Sequence, residues 1–225
     1  MHFAPVSQPF AAKNRVEKSL KMPYTEVYLL SDMIITYQGN NYFKIQSGEF
    51  AILIDPENQR SFRGTQIIVN TVKPALAEPA AEGEGERPFW IENAGEYEVK
   101  GVRVQGWTTG NDGKTVTTAY RILFDEIALV VLGHLGGELS PAITSELADA
   151  DIAIVPAGGK PYLAQSEAAK LVRQLEPGIV IPALFKDAKP FLKELDQTDV
   201  NAEEKLVIKK KDIAPKAMRV RWLGQ

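Results

Sequence analysis

The chain has 225 residues, 44% of them hydrophobic and 24% charged, with a net charge of −3; this is the balance of a protein that buries a substantial core, and it excludes disorder throughout. With no cysteine there are no disulfides, thiolate ligands or cysteine nucleophile, and two histidines, His2 and His134, fall short of a catalytic zinc site. No apolar run approaches the roughly 20 residues needed to cross a bilayer, and no secretory signal opens the chain, so the expectation is a cytoplasmic protein without a membrane partner.

In chain order, residues 1–24 mix Pro5, Pro9 and Pro23 with charges without a stable period, and are expected to form a flexible extension. Residues 25–225 are expected to be a single domain. Met33 to Tyr37, Tyr42 to Ile45 and Phe50 to Ile54 are β-prone runs separated by Gly39-Asn40-Asn41 and Ser47-Gly48-Glu49, which are hairpin turn residues, so they predict an antiparallel meander. The meander ends at Asp55-Pro56, where proline withdraws a ladder donor. A strand is predicted over Gln66 to Asn70. Residues 73–87, rich in Ala, Pro, Glu and Gly, predict a flexible loop. Phe89 to Ile91, Tyr97 to Gln105 and Val116 to Phe124 resume the strands, with Asn111-Asp112-Gly113 turning between the last two.

After Asp125 the pattern changes. Ile127 to Leu132 and Ile152 to Val155 are continuous apolar runs, the mark of strands buried on both faces. Between them, Ser140 caps a helix that Pro141 starts, with Ile143 and Leu147 one turn apart. A second helix, Ala164 to Leu175, places Ala168, Leu171, Val172 and Leu175 on one stripe, and Pro177-Gly178 stops it before a strand from Ile179 to Pro182. The second half therefore reads βαβαβ, within an α/β layout of helices packed outside sheets.

Charge is unevenly spread. Seven acids stand against one arginine from Glu78 to Glu98, and seven basic residues against one aspartate from Lys205 to Arg221. The run Lys209-Lys210-Lys211 has no interleaved aromatics, which argues against nucleic acid and for a solvated turn before a final strand. The sequence names no partner, and a homo-oligomer stays open.

The succession Ile52-Leu53-Ile54-Asp55-Pro56, Gly95-Glu96-Tyr97-Glu98-Val99-Lys100-Gly101, Leu132-Gly133-His134-Leu135-Gly136, Ile154-Val155-Pro156-Ala157-Gly158-Gly159 and Val180-Ile181-Pro182 resembles the metallo-β-lactamase superfamily. Within it, the resemblance is to the L-ascorbate-6-phosphate lactonase-like branch, and it covers about Met33 to Lys186. It implies a four-layer αββα sandwich, and zinc or manganese activating a water that attacks ester, lactone, amide or phosphodiester substrates. The implied ligand positions are altered in this chain. Where the resemblance implies His-x-His-x-Asp-His, the sequence reads Asn70-Thr71-Val72-Lys73-Pro74-Ala75-Leu76. Gly106-Trp107-Thr108-Thr109-Gly110 stands where a further histidine is implied, His134 where a bridging aspartate is, and Leu184 near the last histidine.

No catalytic or metal residue and no cofactor is therefore assigned. The ligand-binding candidates are His134, Asp55, Glu96, Gly158 and Gly159, each with a structural alternative. His134 follows a buried strand, where α/β proteins place sites, yet a single imidazole equally serves as a hydrogen-bonding strut. Asp55 and Glu96 suit a hard cation such as Mg²⁺ or Mn²⁺, but also a strand end and a turn. Gly158-Gly159-Lys160 offers amides to an anion, but also permits a tight connection. Without Gly-x-Ser-x-Gly, the serines form no recognisable triad. A non-catalytic binding or structural protein is the expectation; the alternative is a hydrolase with an unconventional metal site around His134.

Overall fold

The computed structural model describes residues 31–77 and 87–224. The proposed extension over 1–24 and most of the 73–87 segment lie outside these residues. The described elements run β1 (Met33–Gly39), β2 (Tyr42–Ser47), β3 (Phe50–Ile54), β4 (Ile67–Val69), β5 (Val72–Lys73), β6 (Phe89–Ile91), β7 (Gly95–Val99), β8 (Val102–Asn111), β9 (Val116–Phe124), β10 (Ile127–Val131), α1 (Pro141–Leu147), β11 (Ile152–Pro156), α2 (Gln165–Leu175), β12 (Ile179–Ala183), α3 (Lys189–Glu194), β13 (Lys205–Ile208) and β14 (Arg219–Val220).

Two sheets face each other. The first runs β13-β1-β2-β3-β4-β6, and the second β14-β12-β11-β10-β9-β8-β7, with β5 added beside β9. Alternate residues of the first sheet, such as Ile35, Phe43, Ile45, Ile52 and Ile54, meet Tyr120, Ile122, Leu129, Ile154 and Ile181 of the second in one dry core. The β1-β2-β3 meander is antiparallel as its turns predict. β3 and β4 run parallel, as do β10, β11 and β12, so the βαβαβ reading holds.

Among the described residues all three helices contribute to a second core on the outer face of the second sheet. Leu147 of α1, Ala168, Val172 and Leu175 of α2 and Phe191 of α3 pack there with Val130, Ala153, Val155 and Val180. Ser140 caps α1, its Oγ accepting from Ile143 N at 3.3 Å, and Pro141 opens the helix. α2 buries the stripe the sequence predicts and ends at Glu176 in a left-handed conformation, φ 46°. The outer face of the first sheet carries a smaller cluster of Tyr42, Leu53 and Ile68 under Phe62 and Trp90.

The structure departs from the sequence reading in places. The single strand expected over Tyr97 to Gln105 is two, because Lys100 and Gly101 both adopt positive φ, 49° and 84°, and reverse the chain. The second of these does not end near Gln105. β8 continues through Gly106 to Asn111 with an irregularity between Thr108 and Gly110, so this segment lies within a strand rather than after one. α3, β5 and β13 are too short or too mixed in pattern to stand out by period.

At β3, β4, β10, β11 and β12 the carboxyl ends gather at one edge of the sandwich. Close packing of the loops there rests on Gly158: an added Cβ would lie 2.0 Å from the Leu184 carbonyl oxygen. Gly158→Ala is expected to destabilise the fold by about 2–3 kcal/mol, since backbone must move to admit the methyl. Gly137→Ala, with nothing within 4 Å of its Cβ, should stay within about 0.5 kcal/mol. Urea unfolding of both variants checks the contrast, and equal losses would contradict the packing described.

Candidate functional site

Asp55 follows β3 with a left-handed backbone, φ 41°, a conformation aspartate tolerates better than most residues. Its carboxylate is buried, 1% exposed, and accepts from Asn41 and Thr71. Oδ1 accepts from the Thr71 backbone N–H at 2.6 Å, and Oδ2 from Asn41 Nδ2 at 2.6 Å and from the Thr71 hydroxyl in a short contact. His134 Nδ1 stands 3.5 Å from Oδ2 and 2.9 Å from Thr71 Oγ1. While Asp55 is ionised the Thr71 hydroxyl donates its one proton to it, and Nδ1 of His134 then donates to Thr71 Oγ1. His134 also lines the cleft above, so part of its ring reaches the surface.

Thr71 is held from both sides, its carbonyl accepting from Thr118 N at 2.9 Å as the chain crosses from β4 in the first sheet to β5 in the second. Gly133, φ 56°, lies directly over it: an added Cβ would be 2.2 Å from Thr71 Oγ1. Burial pushes the Asp55 carboxyl above its ordinary value; His134, the Thr71 and Asn41 side chains and the Thr71 amide pull against that rise without cancelling it.

Above this buried chain of contacts opens a cleft of about 710 Å³. His134, Gly158 and Gly159 line it, together with Lys160, Tyr162, Leu184 and Lys186. The Tyr162 ring meets the His134 ring edge-on at 5.6 Å. Four of the five sequence candidates thus come together, Asp55 beneath the floor and the other three on it. Glu96 does not. It lies on β7 beside Gln105, whose Nε2 donates to it at 3.3 Å, in a separate surface groove with Arg103 and Arg121.

Sequence reasoning missed Asn41, read only as a turn residue, and Thr71, read only as a lost ligand. Three of the segments where the resemblance implies metal ligands reach the cleft: Leu76 of the Asn70 to Leu76 stretch, His134 and Leu184 line it, with Thr71 below, whereas Gly106 to Gly110 do not line it. Two of the four are hydrocarbon, and the Thr71 hydroxyl is committed to Asp55. Among the described residues no group of three or more His, Cys, Asp or Glu side chains is arranged to hold a metal ion. This donor set does not fit one.

The Beta-lactamase superfamily domain matches residues 34–183. The chain belongs to the metallo-β-lactamase superfamily. Solved structures of the superfamily fold agree: a protein from Thermotoga maritima described as a Zn-dependent hydrolase of the metallo-β-lactamase superfamily is similar at TM-score 0.68 and 22% identity, over 85% of this chain and 98% of that one. The metallo-β-lactamase fold protein YhfI from Bacillus subtilis is similar at TM-score 0.60 and 10% identity, over 85% and 96%. One described as a metal-dependent hydrolase from Parabacteroides distasonis is similar at 0.59 and 16%, over 85% and 92%. At these identities the likeness is one of fold. Comparison with curated proteins finds no match.

Asp55→Ala strands three buried donors and is expected to cost about 2–4 kcal/mol. Asp55→Asn isolates the charge. A folded-state value raised above the ordinary 3.8 means the carboxyl's contribution is complete below that value and is lost as pH rises through the raised one. The stability of wild type relative to Asp55→Asn should therefore fall from about pH 4 towards neutrality in urea titrations. A difference that grows with pH would contradict the assignment.

Proposed function

We propose that this protein is a metallo-β-lactamase-fold protein that has lost the hydrolytic metal centre, nearest in sequence pattern to the L-ascorbate-6-phosphate lactonase-like branch, and that it acts as a non-catalytic binding protein through the cleft above His134. One observation carries the reading: Thr71, Leu76, His134 and Leu184 are what the implied ligand segments bring to the cleft and its floor, and His134 is the only one of the four with a ligating atom to spare. A lone imidazole binds a divalent ion too weakly to hold it through turnover. The framework of the cleft is kept while its ligands are replaced, which suits recognition rather than hydrolysis.

Purified protein is expected to carry metal far below one ion per chain by elemental analysis, and chelation should leave its melting temperature unchanged. Added Zn²⁺ or Mn²⁺ should not raise it, because an ion that does not bind the folded state gives no stabilisation. Stoichiometric metal, or a chelator-induced drop in melting temperature, overturns the reading.

His134→Ala provides the second check. It should cost about 1–2 kcal/mol through the lost Thr71 contact and change no turnover of lactone, thioester or phosphodiester substrates, there being none to lose. Turnover by wild type that vanishes in the variant along with bound metal would establish a hydrolase centred on His134.

A further inference from the structure

The cleft is amphipathic. Leu76, Pro161, Tyr162, Leu184, Phe185 and Pro190 give it apolar walls, and Leu76 is 52% exposed beside it. An apolar side chain that open, next to a cleft of this size, is surface awaiting a partner rather than core.

The charges on the rim are not equivalent. Glu57 accepts from Asn40 Nδ2 at 2.6 Å, and Asp187 Oδ1 from the Lys189 backbone N–H at 3.0 Å, so both carboxylates are engaged locally. Lys160, after β11, and Lys186, after β12, line the same cleft and have no ion pair or side-chain hydrogen bond among the described residues. Other surface lysines, such as Lys44, Lys114 and Lys170, also stand without an ion pair among the described residues; what sets Lys160 and Lys186 apart is that both line one cleft with apolar walls. Two unengaged ammonium groups over an apolar trough define a headgroup and a body.

We infer that the cleft binds a small organic anion, with a phosphate or carboxylate headgroup held between Lys160 and Lys186 and an apolar body lying along Tyr162, Phe185 and Leu76. This rests on the metal-free reading of the cleft and names its ligand class. Ammonium donors make charge-assisted hydrogen bonds to such oxygens, and the apolar walls exclude water from one side of the pair, which strengthens it. His134 forms the floor, where its exposed ring edge senses the ligand without being needed to hold it.

With two histidines in the chain, imidazole proton NMR gives two sets of ring signals, and the set missing from His134→Ala is the one that reports the cleft. Phenyl phosphate and benzoate distinguish the two headgroups, phenol lacks the charge and inorganic phosphate lacks the body. A saturable shift of the His134 signal is expected with phenyl phosphate or benzoate, about tenfold weaker binding with inorganic phosphate, and no shift with phenol. Replacing both lysines, Lys160→Gln with Lys186→Gln, should weaken binding about tenfold or more at unchanged melting temperature, both side chains being exposed. The absence of a saturable shift, or binding indifferent to the double replacement, overturns the anion assignment and leaves the metal-free reading intact. A shift that appears only with added Zn²⁺ overturns the metal-free reading first, and this assignment with it.

Discussion

A buried carboxylate that only accepts organises the functional edge of this molecule. Asp55 stands at the end of β3, takes donors from the β1–β2 turn and from the segment after β4, and faces an imidazole carried by the loop after β10. Most of the contact between the two sheets is apolar packing, which resists separation but specifies position loosely. Hydrogen bonds through Thr71 add direction. They fix where β4 leaves the first sheet for β5 in the second, and they hold the ring of His134 by its Nδ1. An anion buried this completely is costly unless its oxygens are filled, so the loops around it have little freedom to drift.

The backbone around the cleft stores strain that the framework sustains. Asn40, Asp55 and Leu184 hold positive φ of 48°, 41° and 54° without being glycine. Leucine is poorly suited to that region, where its Cβ crowds the chain. Leu184 is kept there because its N–H donates to the Asn40 carbonyl at 2.8 Å, binding the loop after β12 to the first hairpin.

Much of the architecture was legible because the periods are clean. The meander, the two long apolar strands, the Ser140 cap and the α2 stripe all follow from local pattern, and each stands where the pattern puts it. The turn at Lys100 and Gly101 was not legible, since two residues of positive φ inside an alternating run leave no break in hydrophobicity. The site divides the same way. That His134, Gly158 and Gly159 follow strands expected to be buried was readable, and their convergence is a consequence of parallel strands ending at one edge. Asn41 is different: a turn asparagine is normally solvent-facing, and only the distance to Asp55, fixed by the packing of β2 on β3, reveals that it is buried and spent. Glu96 was drawn in by its chemistry alone, and the antiparallel turn of β7 into β8 leaves it in another groove.

The close approach of Gly133 to Thr71 couples the two positions. A Cβ on Gly133 would lie 2.3 Å from the Cβ of Thr71, so even alanine at 71 would not make room for it. Positions 71 and 133 are thus epistatically locked. A side chain can arise at 133 only after 71 has become glycine, and glycine at 71 has no hydroxyl to pass Asp55's hold on to the imidazole. The backbone hydrogen bonds from Thr71 to Asp55 and from Thr118 to Thr71 would survive that change, so what glycine at 71 surrenders is the hold on the His134 ring and not the union of the two sheets.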